Sequence, residues 1–213
     1  MPNDAEEHRK DATYKKAKRE GYRARSAFKL LDIQNRYNIF KRAFYILDLG
    51  STPGSWLQVA KKYAELNLTK HKDKYYQRDH YKIMGVDIKR LSPIEDIKIL
   101  KMDFTSPEFQ VEINNYFNGE KLDLILSDAS INKSGNKFSD QARQIKLCLN
   151  ILDLLTKNLK IKGNFLIKVF QGADFENFYK KMKLLFMDVR SLKPKSSNKR
   201  SNEIYLIGLK KKY

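Results

Sequence analysis

Four acids stand at the ends of successive apolar runs: Asp48 in YILDLG, Asp87 in GVDI, Asp103 in KMDF and Asp128 in LSDAS. Behind the first comes the turn Gly50-Ser51-Thr52-Pro53-Gly54-Ser55-Trp56, whose glycines permit a tight bend and close backbone approach by a ligand. A carboxylate ending a second strand can accept from ribose hydroxyls, and one ending a third can accept from an adenine amino group. Any one of these acids can equally cap a following helix; the succession beside a glycine turn describes a cradle for a bound adenosine. The dinucleotide pattern GxGxxG and the phosphate loop ending in GK[ST] are both absent, which disfavours nicotinamide cofactors and nucleoside triphosphates. A second kind of chemistry starts from Lys168, inside the run FLIKVF. An ammonium buried there without a partner costs several kcal/mol, unless the amine snorkels to water. Glu203 breaks an otherwise acid-free basic loop and opens the run IYLI, where its carboxylate can neutralise a lysine.

The elements that must position these groups alternate along the chain. Near-continuous apolar or β-branched runs at 44–50, 82–87, 97–103, 122–128 and 163–172 suit strands covered on both faces. Helical spacing separates them, notably from Trp56 to Leu66, Gln141 to Leu159 and Phe175 to Phe186. This is the pattern of a doubly wound, mostly parallel α/β sheet, and ligands of such sheets bind at the carboxyl ends of the strands. The polar stretch 66–82 is long for a connection and predicts an exposed insertion; it carries His71 and His80 but no regular ligand spacing, so no metal site is expected.

The chain has 213 residues, of which 41% are hydrophobic and 12% aromatic, which is too apolar for a disordered chain and enough for one core. No run approaches the roughly 20 uncharged residues that span a bilayer, so no membrane partner is expected. Lys and Arg number 43 against 25 acids, a net charge of +18, and so large an excess repels itself unless a polyanion is a regular partner. Two segments concentrate it: 9–29, with nine cations against Asp11 and Glu20, and 190–202, with five cations and one proline. Both are candidates for gripping RNA phosphates, with solvated surface as the plain alternative. The one cysteine, Cys148, lies in LCLNILDLL and predicts a core position. A chain of this kind, opening on the polar MPNDAEEHRK, is expected in a reducing compartment: the cytoplasm, with nucleus or organelle as alternatives.

The motifs RARSAFKL, DLGSTPGSW, VDI, MDF, SDAS, FLIKVFQG and SNEIYLIG, in this order from about Tyr22 to Leu209, resemble the FtsJ-like (ribosomal RNA large subunit methyltransferase E) family of S-adenosylmethionine-dependent RNA ribose 2'-O-methyltransferases. The resemblance implies a seven-stranded Rossmann-like methyltransferase sheet with an antiparallel last strand over residues 23–213, preceded by a basic extension at 1–22. It implies that Gly54, Trp56, Asp87, Asp103 and Asp128 contact S-adenosylmethionine, with Asp48, Gly50 and Ser55 completing the cradle. Lys29, Asp128, Lys168 and Glu203 match the family's Lys-Asp-Lys-Glu catalytic set. In the implied reaction a ribose 2'-hydroxyl attacks the activated methyl in line, which demands positioning and help in losing a proton but no metal. Lys168 is expected nearest the hydroxyl, as base or orienting group, with Asp128 and Glu203 positioning it and Lys29 holding RNA or the developing alkoxide. The expected substrate is large-subunit ribosomal RNA, free or in a particle, acted on by a monomer. Transfer RNA, an mRNA cap and a noncatalytic RNA-binding role are the alternatives. The turn reads Gly54-Ser55-Trp56 where the family usually has Gly-Gly-Trp.

Overall fold

The computed structural model describes residues 12–70, 79–132, 134–194 and 201–213. Two helices, α1 (Ala12–Arg19) and α2 (Ala27–Tyr37), precede β1 (Tyr45–Leu49), α3 (Ser55–Lys70), β2 (Lys82–Asp87), β3 (Ile97–Lys101), α4 (Pro107–Phe117) and β4 (Leu122–Ser127). Next come α5 (Lys137–Asn158), β5 (Leu159–Phe170), α6 (Phe175–Leu185), β6 (Phe186–Leu192) and β7 (Glu203–Lys211). The strands form one seven-stranded sheet in the order β3-β2-β1-β4-β5-β7-β6. Every neighbouring pair from β3 to β5 is parallel, whereas β7 inserts between β5 and β6 and runs antiparallel to both. Among the described residues no helix is long and apolar enough to cross a membrane.

Burial explains the sequence pattern. All residues of β1 and β4 are buried, because helices cover both faces of the central sheet. Alternate side chains feed two cores. One holds Ile46, Ile83, Leu124, Leu126, Leu166 and Ile207 under α2 and α3. The other holds Leu47, Val86, Ile125 and Phe165 under α4, α5 and α6. Cys148 belongs to the second, fully buried, and burial pushes its thiol up to about 12, so it packs rather than reacts.

At the amino edge of the sheet, Asp123 accepts from the backbone N–H of Phe44 (2.7 Å) and Tyr45 (2.8 Å) and pairs with Lys160, tying β1, β4 and β5 together.

Three boundaries differ from the sequence reading. The helix expected to end at Leu159 stops one residue earlier, and β5 begins there, with an irregularity between the Leu122 and Leu124 pairings that carries the strand past Lys162 in a left-handed conformation. The basic segment 190–202 opens inside β6, an edge strand in which only Phe186 and Val189 are buried and which lacks a continuous apolar run. The expected insertion at 66–82 is helical through Lys70, as part of α3, and resumes as β2 at Lys82; residues 71–78, with His71, lie outside the described ones.

Candidate active site

The period of two in strands decides which of the candidate groups can meet. Asp48, Asp128, Lys168 and Tyr205 continue the alternation of Ile46, Leu126, Leu166 and Ile207, so they emerge on the face of the sheet covered by α2 and α3. In the β5–β7 ladder Lys168 stands opposite Tyr205 and Phe170 opposite Glu203, which puts both charged groups on that same face at the carboxyl edge of β5. Lys29 reaches them from α2, whose Ala27, Leu30 and Ile33 seat the helix on the core below.

The result is one connected polar network. The Lys168 ammonium donates to the backbone carbonyl of Asp128 (2.6 Å) and pairs with its Oδ1 (3.2 Å). The same Oδ1 accepts the hydroxyl of Tyr205 (2.6 Å), and Tyr205 in turn accepts from Lys29 Nζ (3.2 Å), which lies 4.0 Å from Glu203 Oε2. Lys168 and Glu203 are thus linked through Asp128, Tyr205 and Lys29. Burial and the carboxylate of Asp128 push the Tyr205 hydroxyl well above the usual phenol range, so it stays a donor. Tyr205 was not singled out by the sequence reading. In IYLIG it reads as one more core aromatic; the only signal was its place two residues after Glu203, on the same face.

Beside the network opens a cavity of about 520 Å³, with Gly50, Asp87, Asp103, Asp128 and Lys168 on its wall. Asp87 is aimed by two backbone donors, Thr52 N–H (2.9 Å) and Lys89 N–H (2.8 Å), and Asp103 by the N–H and hydroxyl of Thr105 (both 2.8 Å). Gly50 sits at φ +77°, and a Cβ there would stand 2.6 Å from the Cα of Ala129, so only glycine lets the turn pass the end of β4. Asp48 lies fully buried, and among the described residues neither carboxylate oxygen has a hydrogen-bond partner. Burial first, and then the nearby charge of Asp128, raises it well above the usual carboxylate range.

Four of the expected cofactor contacts are not on this wall: Asp48, Gly54, Ser55 and Trp56. Asp48 is sealed within the sheet, as above. The Trp56 indole donates to the Ser26 carbonyl (2.9 Å) and its ring lies 5.9 Å from that of Tyr205. Ser55, which replaces the family's glycine, exchanges a 2.7 Å hydroxyl bond with Ser26. Gly54 packs against the side chain of Arg23. These residues fasten α2, and so Lys29, to the turn. Arg23 belongs to the same clamp: its guanidinium donates to the carbonyls of Ser92 and Pro93 (2.7 Å each). Lys15, Lys16, Lys18 and Arg19 of α1 remain exposed, whereas Arg9 and Lys10 lie outside the described residues.

The FtsJ-like methyltransferase family model matches residues 22–211. A ribosomal RNA large subunit methyltransferase E from Methanocella arvoryzae is 42% identical over 200 residues, covering 94% of this chain and 72% of the relative. The enzyme of the same name from Acinetobacter baylyi is 40% identical, covering 95% and 88%. Among solved structures, a ribosomal RNA methyltransferase from Plasmodium falciparum superposes with a TM-score of 0.75 at 28% identity, over 89% of this chain and 98% of that one. The fold and the site define a Rossmann-like methyltransferase. The chain belongs to the FtsJ-like methyltransferase family.

Proposed function

We propose that this protein methylates a ribose 2'-hydroxyl of large-subunit ribosomal RNA, with S-adenosylmethionine as donor. The observation that carries the proposal is the continuous network from Lys168 through Asp128 and Tyr205 to Lys29 and Glu203 at the lip of a nucleoside-sized cavity. The cavity's chemistry fits the donor: Asp87 and Asp103 present pre-aimed carboxylates to ribose hydroxyls and an adenine amine. When bound, S-adenosylmethionine supplies an activated methyl group that the ribose oxygen takes up.

The chain's own residues do the rest. Lys168 lies beside the 2'-hydroxyl and orients it, or accepts its proton when the amine is neutral; Asp128, held by Tyr205, fixes the direction of the Lys168 amine. Lys29, anchored between Tyr205 and Glu203, steadies negative charge on the oxygen or the adjoining phosphate. The exposed cations of α1 and the basic segments 9–29 and 190–202 are proposed to contact the RNA backbone; Arg9, Lys10, Lys195, Lys199 and Arg200 lie outside the described residues.

The test is incubation of the protein with labelled S-adenosylmethionine and undermethylated total RNA, followed by mapping of the label. Label on a ribose of the large ribosomal RNA is expected; label on a base, or on no RNA, overturns the proposal. RNA binding is expected to weaken steeply between about 50 and 200 mM salt, as counterion release requires; a flat salt response removes the basic segments from the interface.

Tyr205→Phe tests the middle of the network. It leaves Asp128 and Lys29 each without one charge-assisted hydrogen bond, so transfer is expected to fall about tenfold, with donor binding close to wild type, since each tenfold corresponds to about 1.4 kcal/mol. Full activity of Tyr205→Phe in a turnover assay would show that Asp128 needs no help in aiming Lys168.

A further inference from the structure

A second cavity, of about 290 Å³, adjoins the network on the far side of Glu203, between the start of α5 and the strand ends of β5 and β7. Phe170 forms part of its wall, and around it stand Lys137, Gln141, Ser201, Asn202 and Glu203. Nothing in the mechanism above uses it. We propose that this cavity receives a single unpaired nucleobase of the RNA substrate, within one nucleotide of the methylated ribose, and that Phe138 stacks a base at its rim. The proposal rests on the reading of the chain as an RNA methyltransferase.

Position comes first. Phe170 follows Lys168 by two residues on β5, about 6.6 Å at ordinary strand rise, so the cavity begins about one nucleotide's spacing from the reacting hydroxyl. Size comes second: a cavity at the lower end of the range for small-molecule pockets holds one ring system and no base pair. Chemistry comes third. The Asp140 carboxylate, also on the wall, is already committed to the N–H of Ser134 (2.9 Å) and Gly135 (3.3 Å) and to Arg143, and those donors hold it down to about 2. Besides Lys137, Ser201 and Glu203, two amides remain for a ligand. The Gln141 amide donates to the Gln171 carbonyl (3.1 Å) and keeps its oxygen available, and the Asn202 side chain makes no hydrogen bond among the described residues. Paired amide donors and acceptors match the edge of a base, whereas a phosphate pocket is built from guanidinium groups or backbone N–H.

Phe138 supplies an independent observation. It lies three residues before Gln141 on α5, hence on an adjoining face of the helix, and is 77% exposed, the highest value among the described large apolar side chains. Aromatic rings exposed beside a basic groove are stacking platforms for unpaired bases.

The experiment uses the full chain and two readouts. In equilibrium binding to fluorescein-labelled oligo(U), oligo(A) and an RNA duplex at fixed salt, Phe138→Ala is expected to weaken single-strand binding about tenfold and leave duplex binding unchanged, with Phe138→Trp restoring it. Asn202→Leu and Gln141→Leu are expected to narrow or shift the preference between the two oligonucleotides. With undermethylated ribosomal RNA, the same variants raise KM more than they lower kcat, while Val111→Ala, on the exposed side of α4, behaves as wild type. Equal losses on single strands and duplex, or unchanged affinity in all three variants, overturn the base subsite even if methyl transfer is intact. Absence of transfer by the wild type overturns the enzymatic reading, and the binding series still decides on the subsite.

Discussion

Lys168→Ala is expected to lower methyl transfer to RNA by about 10²- to 10⁴-fold, the usual contribution of a positioned proton-transfer group, while donor binding changes little. The split follows from the sheet. Asp87 ends β2 and Asp103 follows β3 on one side of β1, whereas Lys168 stands on β5, beyond β4 on the other side. Truncating Lys168 leaves Asp87 and Asp103, the carboxylates proposed for the adenosine, untouched and takes away the amine that Asp128 aims. Calorimetry with S-adenosylmethionine and single-turnover transfer on ribosomal RNA measure the two separately. Lys168→Arg refines the assignment, because a guanidinium keeps a charge at the site but does not give up its proton. Loss as deep as in the alanine variant means that Lys168 acts as a base; substantial rescue means that it orients the hydroxyl. Turnover of Lys168→Ala within tenfold of wild type would falsify the placement of the reacting ribose.

Asp123→Ala carries the largest expected effect on stability. Its carboxylate is 4% exposed and holds two strand-end N–H groups and the Lys160 ammonium at once. Removing it strands two buried donors and an ammonium whose side chain is mostly shielded, which costs about 3–5 kcal/mol. For a chain of this size that lowers the melting temperature by about 6–20 °C. Asp123→Asn keeps an acceptor for the backbone and loses only the charge, so it falls between. Differential scanning calorimetry checks both, and a shift under 2 °C for the alanine variant contradicts the argument. The group lies at the amino edge, away from the cavity, so donor affinity of the folded fraction is expected to remain.

Much of this site was legible because a strand's end is visible in sequence. An acid closing an apolar run has one place to be in a doubly wound sheet, and Asp87, Asp103 and Asp128 are there, on one cavity wall. Lys168 was legible for the opposite reason: a lysine inside FLIKVF breaks a pattern that burial otherwise enforces. Trp56 and Ser55 could not be read the same way. Their neighbours in sequence are the cofactor turn, but as the first residues of α3 they point under that helix toward Ser26, a choice made by helix orientation. Arg23 looked like one cation among many, and only the approach of the loop at Ser92 and Pro93 gives its guanidinium carbonyls to hold. The edge strand β6 escaped because most of its residues are solvated and only Phe186 and Val189 are buried, which erases the apolar run that marks a central strand.

Composition and local pattern, then, determined the α/β class, the excess of positive charge and which strand ends carry acids, since these depend on burial and charge that each segment expresses alone. Which groups touch was decided by tertiary structure. The antiparallel insertion of β7 beside β5 sets Tyr205 opposite Lys168, and docking of α2 brings Lys29 to Tyr205 and Glu203. Neither is a property of any one segment: register arises from the packing of whole faces, and residues 176 positions apart meet only when those faces close.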